Sequence, residues 1–265
     1  MIWIAAYLFI GTVVGILAGM LGIGGGMTLV PVLSAMFSAQ ALAPEHSVHL
    51  ALGTGMASVL FTASASVRAH HGVQAVDWRI VRSLAPAMAL GTLASTAASG
   101  WFAQRALALS FACIAFVGSA QMLLGRAPAS AQHRLPDTAG LWGCGLVIGG
   151  VCGLVSAGGA FLTVPFMLWC GVAMHTAIGT GAALGLPVAL VGSVGYVISG
   201  WHVQGLPHAS LGFVYLPALI AVVSASMLSA PLGARLAHRL PVQTLRRVFA
   251  LLLFALASKM VFSYW

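Results

Sequence analysis

The sequence has 265 residues, of which 60% are hydrophobic and only 5% are charged. A water-soluble domain of this length needs far more polar surface, and a membrane β-barrel needs short alternating segments that are absent here. The net charge of +8 does not indicate a nucleic-acid partner, because the basic residues lie mostly between apolar segments, where the positive-inside rule explains them. The composition predicts an all-α polytopic protein in the lipid bilayer.

Glycines interrupt the first apolar segment. Residues 19–31 read Gly-Met-Leu-Gly-Ile-Gly-Gly-Gly-Met-Thr-Leu-Val-Pro. We expect a helix over residues 2–21, a break over 22–26 and a short helical piece over 27–38. An apolar helix that is broken by glycines once in each half of a chain is typical of a transporter binding site.

Three longer apolar segments follow the break, at residues 47–67, 83–102 and 106–124, and each predicts a membrane-spanning helix. The first of them begins near His49, which opens the motif His-Leu-Ala-Leu-Gly-Thr-Gly-Met-Ala. A basic loop over residues 68–82 separates the first two segments.

The second half repeats this plan. Residues 153–165 match 19–31 at an offset of 134, and His175 opens a matching His-Thr-Ala-Ile-Gly-Thr-Gly-Ala-Ala motif at an offset of 126. Later segments are predicted at 209–232 and 248–262, with Pro217 matched to Pro86. We therefore predict one membrane domain over residues 1–265, in which repeat 1 is 1–125, the linker is 126–138 and repeat 2 is 139–265.

The positions of the basic residues favour a reversal of the chain at each glycine break. If residues 2–38 crossed the membrane once, the eleven Lys and Arg would divide six to five between the two sides. If the chain reverses as a helical hairpin, all but Arg105 and Lys259 fall on one side, a division of nine to two. We therefore predict two inverted-topology repeats, each with a glycine-broken helical hairpin and three transmembrane helices. In a cell inner membrane this multi-pass chain would have a cytoplasmic linker and both termini outside.

The breaks suggest a binding site for an anion. Non-helical backbone avoids lipid and lines polar cavities, and the start of a helix presents free N–H groups at its positive end. Threonine hydroxyls in the two Gly-Thr-Gly motifs can donate to an oxyanion, and protonated histidine can attract an anion or carry a proton. The candidate substrate-binding residues are Gly24, Gly25, Gly26, His49, Gly53, Thr54, Ser156, Gly158, Gly159, His175, Gly179 and Thr180.

Other interpretations of these residues remain open. Glycines also let membrane helices approach closely, and that role suits the stripe Gly11, Gly15 and Gly19. Ser156 superficially resembles the nucleophile of an intramembrane serine protease with His175 or His202 as its base, but the first repeat has glycine at that place. We expect no enzyme activity, no catalytic residue, no metal and no cofactor. A passive anion channel, or a permease for another small anion, is a further alternative.

The motifs also resemble those of a known family. Gly19, Gly22 and Gly24–Gly26, then Pro31, then the His-x-Ala-x-Gly-Thr motif from His49 are similar to motifs of the TauE/SafE sulfite exporters, also called the toluene-sulfonate uptake permease family. The resemblance implies a secondary transporter of sulfite or an organosulfonate, in the export direction, with protons as a possible coupling ion. Ser156 and Ala160 replace two of the glycines in the second repeat, so the two halves depart from full symmetry.

Overall fold

The computed structural model describes residues 2–21, 25–72, 74–124, 135–237 and 242–264, and in these ranges the chain is mostly helical. Its α-helices there are α1 (Ile2–Leu21), α2 (Gly26–Ala39), α3 (Ser47–Gly72), α4 (Trp78–Ala97), α5 (Gln104–Leu124), α6 (Thr138–Leu154), α7 (Ala160–Trp169), α8 (Met174–Gly200), α9 (Leu216–Ala237) and α10 (Val242–Tyr264). A 3-10 helix (Ala98–Trp101) follows α4. Two antiparallel strands, β1 (Ser210–Leu211) and β2 (Val214–Tyr215), precede α9.

Five of the described helices, α3, α5, α8, α9 and α10, are long and apolar enough to cross a membrane. Helices α1, α2, α6 and α7 contribute shorter apolar stretches of 10–17 residues. Helix α4 has 20 residues, but Arg79 and Arg82 stand in its first two turns and it is not among the five. The fold is therefore that of an all-α polytopic membrane protein, apart from the small β-hairpin, which the sequence did not indicate.

Helix α2 turns back along α1. At its start, Gly25 lies against Val14 and Ala18 of α1. Beyond its end, the side-chain amide of Gln40 donates to the hydroxyl of Tyr7 over 2.6 Å, close to where α1 begins. The chain therefore changes direction between α1 and α2, where the glycine run stands.

The first helix of each half packs along the fourth helix of the other half, α1 on α9 and α6 on α4. Glycines make both contacts close. A Cβ atom at Gly15 would lie 2.6 Å from the Cα atom of Ser226, and one at Gly149 would lie 2.6 Å from the Cα atom of Met88. Gly11 and Gly15 therefore have the packing role that the sequence suggested for their stripe, while the surroundings of Gly19 lie outside the described part.

Two further helix pairs run antiparallel through the centre and along one edge. In the α3–α8 pair, Gly192 lies against Met56 and Gly185 lies near Ala63. In the α5–α10 pair, the hydroxyl of Ser119 donates to the Ala250 carbonyl over 2.8 Å. Each pair joins corresponding helices of the two halves.

Side-chain contacts define two ends of the molecule. At one, which we call the terminal end, the hydroxyl of Tyr264 lies 3.0 Å from that of Ser47, beside the Gln40–Tyr7 contact. At the other, the linker end, the ring of His71 meets that of Trp78. The basic residues with described side chains lie at both ends. Those toward the linker end are Arg68, Arg79, Arg82 and Arg247, and those toward the terminal end are Arg105 and Lys259. Outside the described part lie Arg126, Arg134, Arg239 and the side chains of Arg235 and Arg246.

Two sequence-based boundaries and one match between the repeats were wrong. The predicted basic loop 68–82 is mostly helix, since α3 continues to Gly72 and α4 begins at Trp78. The segment predicted from residue 209 begins as a helix only at Leu216, because the β-hairpin occupies the residues before it. The match of Pro217 to Pro86 also fails, because Pro217 is the second residue of α9 whereas Pro86 is the ninth of α4.

Candidate substrate site at the two helix breaks

The first break ends at Gly25, the N-cap of α2. Gly25 has φ 67°, in the left-handed region that glycine adopts without steric cost. Its carbonyl accepts the hydroxyl of Thr28 over 2.8 Å, which closes the first turn of α2. Gly24, the preceding candidate residue, lies outside the described residues.

The second break ends α6 and begins α7. Ser156 has φ 49°, and the N–H of Ala157 donates to the Cys152 carbonyl, so α6 ends in a left-handed cap. Gly158 and Gly159 are buried, and their carbonyls accept the first N–H groups of α7, from Phe161 and Thr163. The left-handed residue is a glycine in the first break and a serine in the second, so the two turns are not identical.

The two breaks meet in the interior. Gly26 lies directly against the carbonyl oxygen of Ser156, with no room for a Cβ atom between them. The hydroxyl of Ser156 donates to the carbonyl of Leu52 in α3 over 2.6 Å. A Cβ atom at Gly55, one turn farther along α3, would lie 3.8 Å from that of Ser156. The structure thus brings Gly25, Gly26 and Ser156 together around α3.

The first two residues of each Gly-Thr-Gly motif contact the residues that lie just before the fourth helix of the opposite half. Thr54 accepts the N–H of Tyr215 over 3.0 Å, and Thr180 accepts the N–H of Asp77 over 2.9 Å. The Phe213 carbonyl packs directly against Gly53, and the Ala75 carbonyl packs directly against Gly179. Both threonines are fully buried, with exposures of 0%. These contacts give the motif a structural role in both copies.

The third residue of each Gly-Thr-Gly motif lets a short helix pack closely against the long helix that carries the motif. A Cβ atom at Gly55 would stand 2.9 Å from a methyl carbon of Val30 in α2, and one at Gly181 would stand 2.9 Å from a methyl carbon of Val164 in α7. Gly159 packs closely on Gly185 in the same region. Helix α2 therefore packs on α3, and α7 packs on α8, at the same residue of the Gly-Thr-Gly motif.

The two matched histidines occupy different surroundings. His49 is 1% exposed, and its Nε2 atom lies 3.2 Å from the carbonyl oxygens of both Ser99 and Phe102. Nε2 therefore carries the hydrogen, and Nδ1, which is buried, has no hydrogen-bond partner among the described residues. His175, in contrast, is exposed at the start of α8 near His70. The structure does not bring His49 and His175 together.

Two of the three acidic residues cap helices near the linker end. Asp77 accepts the N–H groups of Arg79 and Ile80, and Asp137 accepts that of Gly140. Within the described chain no side chain caps α2 at Gly25 or α7 at Gly159. Helix α8 also lacks such a cap, but its first residues are exposed and water can serve there. The starts of α2 and α7 are therefore buried, and the capping residue of each is a glycine, which has no side chain to bond the first-turn N–H groups.

Comparisons with known proteins agree with this architecture. The family model described as "Sulfite exporter TauE/SafE" matches residues 7–260. The chain belongs to the TauE/SafE family. A Haemophilus influenzae protein named "Probable membrane transporter protein" is 33% identical over 258 residues, covering 96% of each chain. A protein of that name from Xylella fastidiosa strain Temecula1 is 27% identical, and Bacillus subtilis "Probable membrane transporter protein YunE" is 22% identical, each aligning over 96% of this chain and 94% and 95% of its own length. No solved structure matches.

Membership of the TauE/SafE family agrees with a transporter and not with a protease. In the structure the hydroxyl of Ser156 donates its hydrogen bond to the Leu52 carbonyl and not to an imidazole. The described residues contain no group of three or more His, Cys, Asp or Glu side chains that could hold a metal ion.

Sequence reasoning about this TauE/SafE protein missed several residues around the site. The Tyr196 hydroxyl in α8 donates to the Gly153 carbonyl over 2.9 Å, at the end of α6. Phe213 stacks on His49 with ring centroids 4.8 Å apart, and its carbonyl fills the space beside Gly53. Neither residue has a match in the other half, so the repeat could not reveal them. Tyr196 could have been noticed as a tyrosine within a long apolar segment of the chain.

Proposed function

We propose that this chain is a secondary transporter that exports a small sulfur-containing anion, sulfite or an organosulfonate, by alternating access. The substrate class comes from the sulfite exporter name of the family. The site is proposed at the helix breaks, around Gly25, Gly26, Ser156, Gly158 and Gly159. The other sequence candidates, Gly24, His49, Gly53, Thr54, His175, Gly179 and Thr180, stay predictions.

The observation that carries the proposal is the meeting of two buried helix starts. Gly26 lies against Ser156, and neither α2 nor α7 has a side-chain cap in the described chain. Backbone N–H groups at a helix start, with the positive end of the helix dipole, attract anions without an arginine. Two such starts at one place can surround an oxyanion that is neither fully hydrated nor paired with a fixed cation.

The arrangement of the helices supports two inverted repeats in one domain, with residues 1–125 and 139–265 as the halves and 126–138 as the linker. The reciprocal pairs α1–α9 and α4–α6 are the pairs that a twofold relation between the halves requires. Corresponding helices also run antiparallel in the α3–α8 and α5–α10 pairs, as inversion demands. Motion of one half against the other would then expose the breaks to each side in turn.

For the coupling ion of this mechanism we propose a proton carried by His49. The Nδ1 atom of His49 offers a buried lone pair, and the ring of His46 lies 5.3 Å away. A proton bound there would place positive charge at the terminal end of α3, four residues before Gly53, where the Gly-Thr-Gly motif begins. Such a proton would couple the anion to a pH gradient.

Transport by purified protein in liposomes tests the proposal. Vesicles loaded with radiolabelled sulfite should export it against its own gradient when a proton gradient is imposed. A passive channel would only equilibrate the label, and that result would contradict a secondary transporter.

The variant Gly25→Val tests the site itself. Valine disfavours the left-handed conformation and would contact Val14, so the start of α2 should lose its geometry and export should fall to background. Gly143→Val is the matched control, because nothing lies within 4 Å of a Cβ atom there. Full export by a correctly inserted Gly25→Val protein would remove the breaks from the mechanism.

A further inference from the structure

A cavity of about 420 Å³ lies between α2 and α10 at the terminal end. This volume is within the range of small-molecule sites, roughly 300–1,000 Å³. Its polar lining comes from Ser34 and Ser38 of α2 and from Lys259, Ser263 and Tyr264 of α10. Neither the family match nor the helix breaks account for this group of side chains.

The lining suits an anion. Lys259 supplies an ammonium group with three donors, and it is the single lysine of the sequence. None of the eight residues that line the cavity is acidic. Tyr264 is fixed in place, because its hydroxyl lies 2.7 Å from that of Ser34 and 3.0 Å from that of Ser47. One positive charge and several hydroxyls therefore face the same space.

The position of Lys259 in an apolar helix also needs an explanation. Lysine near the end of a membrane helix often extends its ammonium group toward the interface, and this explains a charge at that depth. It does not explain why Ser34, Ser38 and Ser263 collect around the same cavity. A bound anion explains both the charge and the hydroxyls.

We propose that the α2–α10 cavity is a second anion-binding site, which holds a small oxyanion through the Lys259 ammonium group and the hydroxyls of Ser34 and Ser38. The oxyanion is either free in solution or the phosphate of a lipid headgroup, since both present the same chemistry. The site is separate from the helix breaks. Ser34 lies eight residues along α2 from Gly26, about 12 Å at the helical rise, so an anion held here lies on the flank of the helix that begins at the first break.

Chemical protection of Lys259 tests this site directly. The intact protein in nonionic detergent is treated with an amine-reactive ester, and acylation of Lys259 is followed by mass spectrometry, which separates it from the N-terminal amine. Sulfate and sulfite are compared with chloride at equal ionic strength, so that general screening cancels. At ten times its dissociation constant, a bound anion should slow acylation about tenfold.

Lipid arms of the same experiment identify the source of the oxyanion. Phosphatidylglycerol is added in one arm and phosphatidylcholine in the other. Protection by sulfate or sulfite supports a site for a free oxyanion, and protection by phosphatidylglycerol alone supports a site for a lipid phosphate. Acylation that none of these additions slows relative to its control overturns the proposal.

Paired serine variants distinguish binding of an anion in the cavity from simple attraction of an anion to the Lys259 charge. Ser38→Ala removes a hydroxyl from the lining and should weaken protection about tenfold, the scale of a hydrogen bond to a charged group. Ser258→Ala is the control, because Ser258 neighbours Lys259 but bonds the Phe254 carbonyl and does not line the cavity. Equal protection in both variants overturns the proposal. The Gly25→Val protein should keep this protection even when export is lost, so the two proposals can fail independently.

Discussion

A single threonine hydroxyl joins the two halves of the molecule at each of two places. Thr54 of α3 accepts the N–H of Tyr215 just before α9, and Thr180 of α8 accepts that of Asp77 just before α4. Each N–H belongs to the start of a helix in the opposite half and is removed from water. The threonines therefore hold the halves together, whether or not they also contact substrate.

Thr54→Val should destabilise the protein because it leaves the Tyr215 N–H buried without an acceptor. The expected loss is about 1–3 kcal/mol of unfolding free energy, the usual penalty for such a group. Thr54→Ser keeps the oxygen and should stay close to the parent protein. Thermal unfolding in detergent measures both. Export should then be compared at a temperature where both variants are folded: if Thr54→Val exports normally there, Thr54 has only its structural role.

His49 shows that residue type and spacing in the sequence do not determine the surroundings, and so the role, of a residue. Its match with His175 in sequence suggested equivalent positions, yet His49 is buried against Ser99 and Phe102 while His175 is exposed. The difference arises from the chain between the third and fourth helices of each half. In repeat 2 that chain forms the β-hairpin and places Phe213 on His49. A pattern of nine residues cannot encode a contact that a distant loop provides.

At the scale of elements, the sequence predicted the features that depend on local composition. The break at the glycines, the short helix after it and the glycine stripe all follow from which residues tolerate close packing or a left-handed turn. The start of α9 was missed because Ala209 to Tyr215 are as apolar as a membrane helix, whereas in the structure β1 pairs with β2 as a hairpin that packs against α3. The contact between Gly26 and Ser156 was also beyond sequence, since it depends on how the two halves dock.

Close packing of α6 on α4 gives a prediction that compares two glycines of α6, Gly149 and Gly143. Gly149→Leu should force the helices apart, because a Cβ atom there already lies 2.6 Å from the Cα atom of Met88. Overpacking of this kind typically costs about 1–3 kcal/mol, and more where backbone atoms clash. Gly143→Leu, on the same helix, meets nothing within 4 Å and should be tolerated. Equal unfolding temperatures for the two variants would show that the α4–α6 contact is looser than described.

At the scale of the whole molecule, charge and packing give the same topology. The hairpin arrangement places nine of the eleven basic residues on one side, and the described ones among them, Arg68, Arg79, Arg82 and Arg247, do lie toward the linker end. The terminal end instead carries neutral contacts such as Gln40 with Tyr7 and Ser47 with Tyr264. Because basic loops are retained in the cytoplasm, the linker end should face inward.

Single-cysteine labelling tests this orientation in intact cells. In a background without the four native cysteines, cysteine replaces Ser130 in the linker, Ala237 at the end of α9, or His208 in the loop before the β-hairpin. An impermeant thiol reagent should label the His208 variant from outside and should reach the other two only after the membrane is opened. Ser130 and Ala237 are the decisive pair: a single crossing at residues 2–38 would put them on opposite sides, whereas a hairpin puts them on the same side. Labelling of one from outside and the other from inside would therefore refute the hairpin topology, and with it the inversion that lets the two breaks serve one anion.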